Sequence, residues 1–316
     1  MRVTASQIAD WANTNAKQAQ ADLPRWVRRL CFDSESTRQL SFPAGDSNFV
    51  PGWDGMLFSE RGNAWVPAGS SRWEIGCDKD VGSKANGDYQ KRTEKTPQEE
   101  RSSCTFVFVT PRRWIGKSAW IKSQKSKGEW AAVAAYDADD LEQWLEQTPA
   151  VALAFSEALG LSGWGITSLA KYWDGWSKQC SPTITPEAFF TDRSDVVKTL
   201  TEKTQGLLRS PQVGLLSIQA DSVEEAAAFS VAVILGLDEL ADQAVVITDP
   251  QGWRFVDANP NLKIAIVART EFAASPVIRD GLVLIVPHAR GDLAAKFKGD
   301  QIVIDRPNIY DFEKAL

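Results

Sequence analysis

Histidine is almost missing from this chain: His288 is the only one in 316 residues. A histidine metal cluster is thereby excluded, and any Ser-His-Asp or Cys-His centre would have to be built around that one side chain. His288 follows the apolar run Leu282 to Val286, so a structural place at a strand end is expected. The four cysteines, Cys31, Cys77, Cys104 and Cys180, include no CxxC pair for zinc or thiol exchange, which fits a reducing cytoplasm. No apolar run approaches the ~18 residues that a membrane helix needs. The start, Met1-Arg2-Val3-Thr4, has no basic region leading into an apolar block, so neither secretion nor membrane insertion is indicated.

With 43% of its residues apolar and 24% charged, the chain is long enough for two modest cores. Its net charge of −6 is unevenly spread: residues 1–165 carry 20 Lys+Arg against 21 Asp+Glu, and residues 166–316 carry 15 against 20. Residues 84–127 hold 11 basic and 4 acidic side chains, and no acid interrupts Arg112, Arg113, Lys117, Lys122, Lys125 and Lys127. That is the region suited to a polyanion.

Thr4 with Gln7 three residues on makes a capping-box pattern, and Ile8, Trp11 and Ala12 share a face behind it, predicting a helix. A second helix is expected after Asp22, with Pro24 in its first turn and Trp26, Val27 and Leu30 inward. Residues 40–77 carry short apolar pieces between turn clusters at Ala44-Gly45-Asp46, Arg61-Gly62-Asn63 and Pro67-Ala68-Gly69-Ser70, the texture of an antiparallel meander. Alternation around Glu74 sends Trp73, Ile75 and Cys77 to a core, and Arg72, Glu74 and Gly76 to the other face. A helix from about Gly82 to Thr96, strands Thr105 to Val109 and Ala131 to Tyr136, a helix capped near Asp139 and a helix ending at Gly160 complete a first domain, 1–162. A tryptophan-rich connector, 163–208, leads to alternating strands and helices over 209–316, a second α/β domain. Its first turn, Gln219-Ala220-Asp221-Ser222, has none of the glycines of a P-loop, nor its lysine. Tyr310 to Leu316 read as a helix just beginning, which points to a truncated chain with further C-terminal domains.

Within the first domain, Pro51-Gly52-Trp53-Asp54-Gly55, Ser71-Arg72-Trp73-Glu74-Ile75-Gly76 and Lys84-Ala85-Asn86-Gly87-Asp88-Tyr89-Gln90-Lys91-Arg92 put two acids on neighbouring strands with a lysine on the next helix. Hydrolysis of a phosphodiester needs a nucleophilic water, neutralisation of charge on the phosphate oxygens and help for the leaving oxygen. A divalent cation held by acids supplies most of this. Two carboxylates about 4 Å apart repel by around 4 kcal/mol at an effective dielectric near 20, so such a pair is incomplete without a cation. The candidate ligands are Asp54, Glu74 and the backbone carbonyl of Ile75, and the candidate positive partner is Lys84. Asp88, Tyr89 and Lys91 are candidates for supporting the site or contacting phosphate. Arg112, Arg113, Lys117 and Lys122, interleaved with Trp114 and Trp120, are candidates for following a DNA backbone. Spacing alone also allows Asp54 as a turn cap, Glu74 as an exposed strand residue, and the helix and basic tract as solvated charge.

Taken with Phe42-Pro43-Ala44-Gly45-Asp46 and Val66-Pro67-Ala68-Gly69-Ser70, these motifs resemble the N-terminal nuclease domain of large bacterial proteins, often antiphage STAND-type ATPases. Such domains belong to the restriction-endonuclease-like PD-(D/E)xK superfamily. The likeness covers roughly residues 1–160, and residues 165–316 resemble more weakly the α/β region that follows in those proteins. The resemblance implies an α/β core with a mixed central sheet, acids at Asp54 and Glu74, and Mg²⁺ as cofactor with Mn²⁺ able to substitute. It implies DNA as substrate and products ending in a 5′-phosphate and a 3′-hydroxyl. In the (D/E)xK pattern the lysine would stand at 76, where this chain has Gly76; Lys84 is the expected replacement, with Lys79 and Lys91 as rivals. The expected function is a metal-dependent DNA endonuclease, the effector module of a cytoplasmic bacterial defence protein, working as a homo-oligomer or within a longer chain. The alternative is an inactive nuclease fold that binds DNA or a protein partner.

Overall fold

The computed structural model describes residues 2–32, 37–44, 52–161, 163–210, 212–291 and 300–316. The expected turn residues Gly45 and Asp46, and Pro51, lie outside them. The chain is mixed α/β and divides into two compact units, 2–151 and 152–316.

The first unit opens with helices α1 (Ala5–Thr14) and α2 (Ala16–Cys31). The Thr4–Gln7 capping box forms, Thr4 Oγ1 accepting the Gln7 N–H while Gln7 Oε1 accepts the Thr4 N–H. Helix α2 starts six residues before the expected Asp22, because Ala16 to Ala21 are strong helix formers. Pro24 is therefore inside the helix rather than in its first turn. Strands β1 (Thr37–Ser41), β2 (Gly55–Ser59) and β3 (Gly69–Ile75) follow, then α3 (Val81–Lys95), α4 (Gln98–Arg101), β4 (Cys104–Val109), α5 (Lys117–Ser126), β5 (Ala132–Tyr136) and α6 (Ala138–Gln147); the division at residue 151 falls within the next helix, α7 (Pro149–Ala158). The cap of α6 is Asp137, two residues ahead of the expected Asp139. Strand order is β1-β2-β3-β4-β5, antiparallel across β1, β2 and β3 and parallel across β3, β4 and β5.

Both faces of this sheet are covered. On one, Trp73 meets Phe42, Tyr136 and Trp144. On the other, Phe106 and Phe108 of β4 pack with Tyr89, Trp120 and Trp130 from the α3 and α5 side. Each such aromatic, taken fully out of water, contributes on the order of 2–3 kcal/mol. Covering the second face buries Glu74, at 3% exposure. The strand alternation places Glu74 opposite Trp73 as expected, but its face is interior too.

The second unit contains β6 (Ile166–Thr167), α8 (Leu169–Ser177), α9 (Pro186–Phe189), α10 (Ser194–Arg209), β7 (Gly214–Ala220), α11 (Val223–Leu235), α12 (Asp238–Ala241), β8 (Ala244–Ile247), α13 (Trp253–Ala258), β9 (Ile264–Val267), β10 (Val283–Ala289), β11 (Asp300–Val303) and α14 (Ile309–Ala315). Its sheet runs β11-β7-β10-β9-β8-β6, all parallel except the antiparallel edge strand β6. Strands β8 and β9, Ala-Val-Val-Ile and Ile-Ala-Ile-Val, are buried throughout, as parallel strands covered on both sides must be. The stretch 163–208, read from sequence as a connector, is built into this unit: Trp173 and Trp176 of α8 pack on Phe189, and Leu200 of α10 joins the core. His288 is buried within β10. After β7, Ser222 caps α11 and Asp221 pairs with Arg290 and Arg306, where a P-loop would have held phosphate. Among the described residues no helix is long and apolar enough to cross a membrane.

Candidate active site

Register brings the two acids together. Gly55 lies opposite Trp73 in the antiparallel β2–β3 pair, so Asp54, one residue before β2, falls opposite Glu74 on the same face. Directly opposed residues have Cβ atoms about 4.5–5.5 Å apart. Gly55 is needed beside this pair, because a Cβ there would lie 2.1 Å from the Phe42 ring. Asp54 Oδ2 accepts the backbone N–H of Ile75 at 2.7 Å, which ties the first acid to the strand that carries the second.

The α3 sequence divides by face. Val81, Ala85 and Tyr89 enter the aromatic core, and Tyr89 meets Phe106 and Trp120 edge to face. Asn86 accepts from the Trp120 indole at 2.9 Å. Lys84, Asp88 and Arg92, spaced by four, form a third row that faces the acids. Lys84 Nζ lies 3.1 Å from Asp88 Oδ1, while Asp88 Oδ2 is buried with no hydrogen-bond partner. The Arg92 guanidinium donates to Glu74 Oε1 and to the Gly52 carbonyl, and its carbon sits 4.6 Å from the centre of the Trp53 ring.

Position 76 explains the displaced lysine. A Cβ added at Gly76 would lie 2.9 Å from Lys84 Cγ and 3.0 Å from Phe108 Cζ. The aliphatic stem of Lys84 thus runs over the bare Cα of Gly76, two residues along the same face from Glu74. Helix α3 delivers an ammonium to space that a side chain at 76 would otherwise occupy. Of its rivals, Lys79 and Lys91 are exposed.

Electrostatics mark this pair as short of positive charge. Burial pushes Glu74 up to about 8, Asp54 adds to the rise, and Arg92 opposes it. Asp54 is raised as well, by burial first and then by Asp88, against the Ile75 hydrogen bond, Arg92 and Lys84. For Lys84, burial works against the charged form, but Asp88, Asp78 and Glu74 outweigh it and raise the pKa. Among the described residues no three His, Cys, Asp or Glu side chains converge as a ligand set. A cation here would rest on Asp54, Glu74 and a backbone carbonyl. That all-oxygen set suits Mg²⁺, which keeps several waters and takes one or two carboxylates. The unpartnered Asp88 Oδ2 and the elevated Glu74 pKa are consistent with such an occupant.

Other candidates fall differently. The Ile75 carbonyl accepts from Gln20 Nε2 at 3.2 Å, and Gln20 Oε1 accepts the Cys77 N–H at 3.1 Å, so one amide of α2 clamps the end of β3. A carbonyl has a second lone pair, which leaves Ile75 able to serve. Tyr89 is buried in the aromatic core, and Lys91 is exposed. The Arg112 guanidinium donates to Cys77 O at 2.8 Å and to Asn13 and Ala12 of α1, tying these segments together. Lys117 is likewise taken up by Asp137 and Asp140. Arg113 pairs with Asp139 at 3.3 Å on the surface, and Lys122 is exposed. Gln20 and Arg92 were not among the sequence candidates; for Arg92 the signal was its place four residues after Asp88 and eight after Lys84, on one helix face.

No protein-family model matches the chain, and no curated protein matches it.

Proposed function

We propose that residues 2–151 are a Mg²⁺-dependent deoxyribonuclease unit of the PD-(D/E)xK type, with a restriction-endonuclease-like core. The observation that carries this reading is the cross-strand pair Asp54–Glu74 with the Lys84 stem laid over Gly76. Asp54, Glu74 and the Ile75 carbonyl would hold the cation, which when bound supplies Lewis-acid polarisation of phosphate and a lower pKa for water. Ile75 N–H fixes the Asp54 carboxylate, and Gln20 fixes the strand end from which the Ile75 carbonyl projects. Lys84 places a protonated amine beside the acids, positioned to orient water or to stabilise charge developing on phosphate oxygen. Asp88 holds that amine in place.

In this reading DNA is the substrate, and the second α/β unit, without P-loop chemistry, is non-catalytic. The resemblance in sequence supports reading the chain as an effector module of a cytoplasmic bacterial antiphage protein, assembled as an oligomer or in a longer polypeptide. The test is nicking of supercoiled plasmid with Mg²⁺ or Mn²⁺ against chelator. Asp54→Ala, Glu74→Ala and Lys84→Ala are each expected to abolish nicking while the circular dichroism spectrum stays that of the wild type. Full cutting by the Glu74 variant rules the mechanism out.

A second reading, a nuclease fold that binds DNA or a protein without cleaving, is favoured by one contact: Arg92 already pairs with Glu74. It predicts salt-sensitive DNA binding that is indifferent to metal and forms no product.

A further inference from the structure

Arg92 is the most tightly engaged group of the site that the mechanism above does not use. Its guanidinium contacts Glu74 on β3 and the Gly52 carbonyl just ahead of Asp54, and stacks over Trp53 between them. One side chain thus joins both segments that present the acids. The ionised site holds Asp54, Glu74 and Asp88 against Lys84 and Arg92, one positive charge short. A divalent cation added with Arg92 in place would leave the cluster one charge in excess, and the ion would meet a guanidinium on the carboxylate it needs. Like charges within about 5 Å oppose each other strongly in a partly buried site.

We propose that Arg92 is an exchangeable counter-ion: it holds Glu74 while no cation is bound, yields that carboxylate when a divalent cation arrives, and then pairs with the phosphodiester anion of DNA. This rests on the reading of Asp54 and Glu74 as the cation ligands. The chemistry suits the transfer, because a guanidinium forks onto carboxylate and phosphate with the same two-donor geometry. The Trp53 ring remains as a rest beneath the planar group on either side of the exchange. Lys84 takes no part, since Asp88 pairs with it.

The test is Mn²⁺ binding at pH 8.0, read as free ion by electron paramagnetic resonance, for the full chain, Arg92→Gln and Arg92→Lys, with Asp54→Ala as the site control. A second arm measures binding of a short DNA duplex by anisotropy, with Ca²⁺ and without. Arg92→Gln is expected to bind Mn²⁺ about tenfold more tightly than the wild type and to lose the gain in DNA affinity that Ca²⁺ confers. Arg92→Lys, retaining the charge, is expected to bind Mn²⁺ like the wild type and to hold up if the glutamine variant unfolds. Unchanged or weaker Mn²⁺ binding by Arg92→Gln, while Asp54→Ala abolishes wild-type binding, overturns the exchange and leaves the metal site standing. Tighter Mn²⁺ binding with the Ca²⁺-dependent DNA gain intact overturns the transfer to phosphate. Absence of Mn²⁺ binding in the wild type overturns the exchange together with the site it rests on.

Discussion

Glu74→Gln should flatten the dependence of stability on pH. In the folded chain the Glu74 carboxyl is pushed up to about 8 from its ordinary 4.5, with burial and the facing Asp54 as the main causes. Between those values the unfolded chain has released this proton and the folded chain retains it, so folding stability falls as pH rises. The contribution is complete below the unfolded pKa and is lost as pH climbs through the folded one. One proton corresponds to about 1.4 kcal/mol per pH unit, and the interval between the two values sets a ceiling of about 5 kcal/mol. Gln keeps the shape, removes the titration and leaves Arg92 its contacts with Gly52 and Trp53. The assay is urea unfolding at pH 5.5, 6.5, 7.5 and 8.5 in chelator, read as the difference between wild type and variant so that the second unit cancels. The wild type should lose stability faster than Glu74→Gln across this range, and Mg²⁺ should restore part of the loss at pH 8.5. Parallel curves for the two proteins would refute the placement of a strained carboxylate at this position.

Other substitutions probe the scaffold around the acids. Gly76→Ala forces a methyl against Lys84 and Phe108 and should cost about 1–3 kcal/mol in thermal or urea unfolding, together with Mg²⁺-dependent nicking. Gln20→Ala removes both hydrogen bonds to the end of β3 and should destabilise by roughly 1–3 kcal/mol while lowering cation affinity, checked by unfolding and by Mn²⁺ titration. Lys117→Ala uncouples Asp137 and Asp140 and should lower the melting temperature without altering the salt dependence of DNA binding. Lys122→Ala should do the reverse, reducing the slope of log K against log salt by about 1 if the exposed α5 surface follows the backbone.

The strands and their pairing were legible because alternation and turn residues repeat over residues 40–77, and the described part of that stretch forms the antiparallel β1–β2–β3 run. The placement of Asp54 beside Glu74 followed from that meander, since its register brings position 54 opposite 74. Burial of Glu74 was not legible, because whether a helix covers the second face depends on the path of α3 rather than on the strand itself. The start of α2 was misread because Pro24 looks like a first-turn residue, whereas the alanine-rich stretch before it already propagates helix. That error hid Gln20. Arg112 and Lys117 lie in an acid-free run of sequence, yet their partners arrive from α1, the segment after β3 and α6, distant along the chain. Charge runs report local composition, and ion pairing is decided by tertiary neighbours.

The proposed cleavage requires Asp54, Glu74 and Lys84 to act together on a phosphodiester. Its most direct measurement is single-turnover cleavage of a supercoiled plasmid by the full chain in Mg²⁺, wild type beside Lys84→Ala and Lys84→Arg. The predicted result is chelator-sensitive cleavage by the wild type and at least a 100-fold loss in Lys84→Ala, of the order that removing one stabilising donor produces. Wild-type cleavage rates in Lys84→Ala would contradict it, leaving the amine over Gly76 a matter of packing alone.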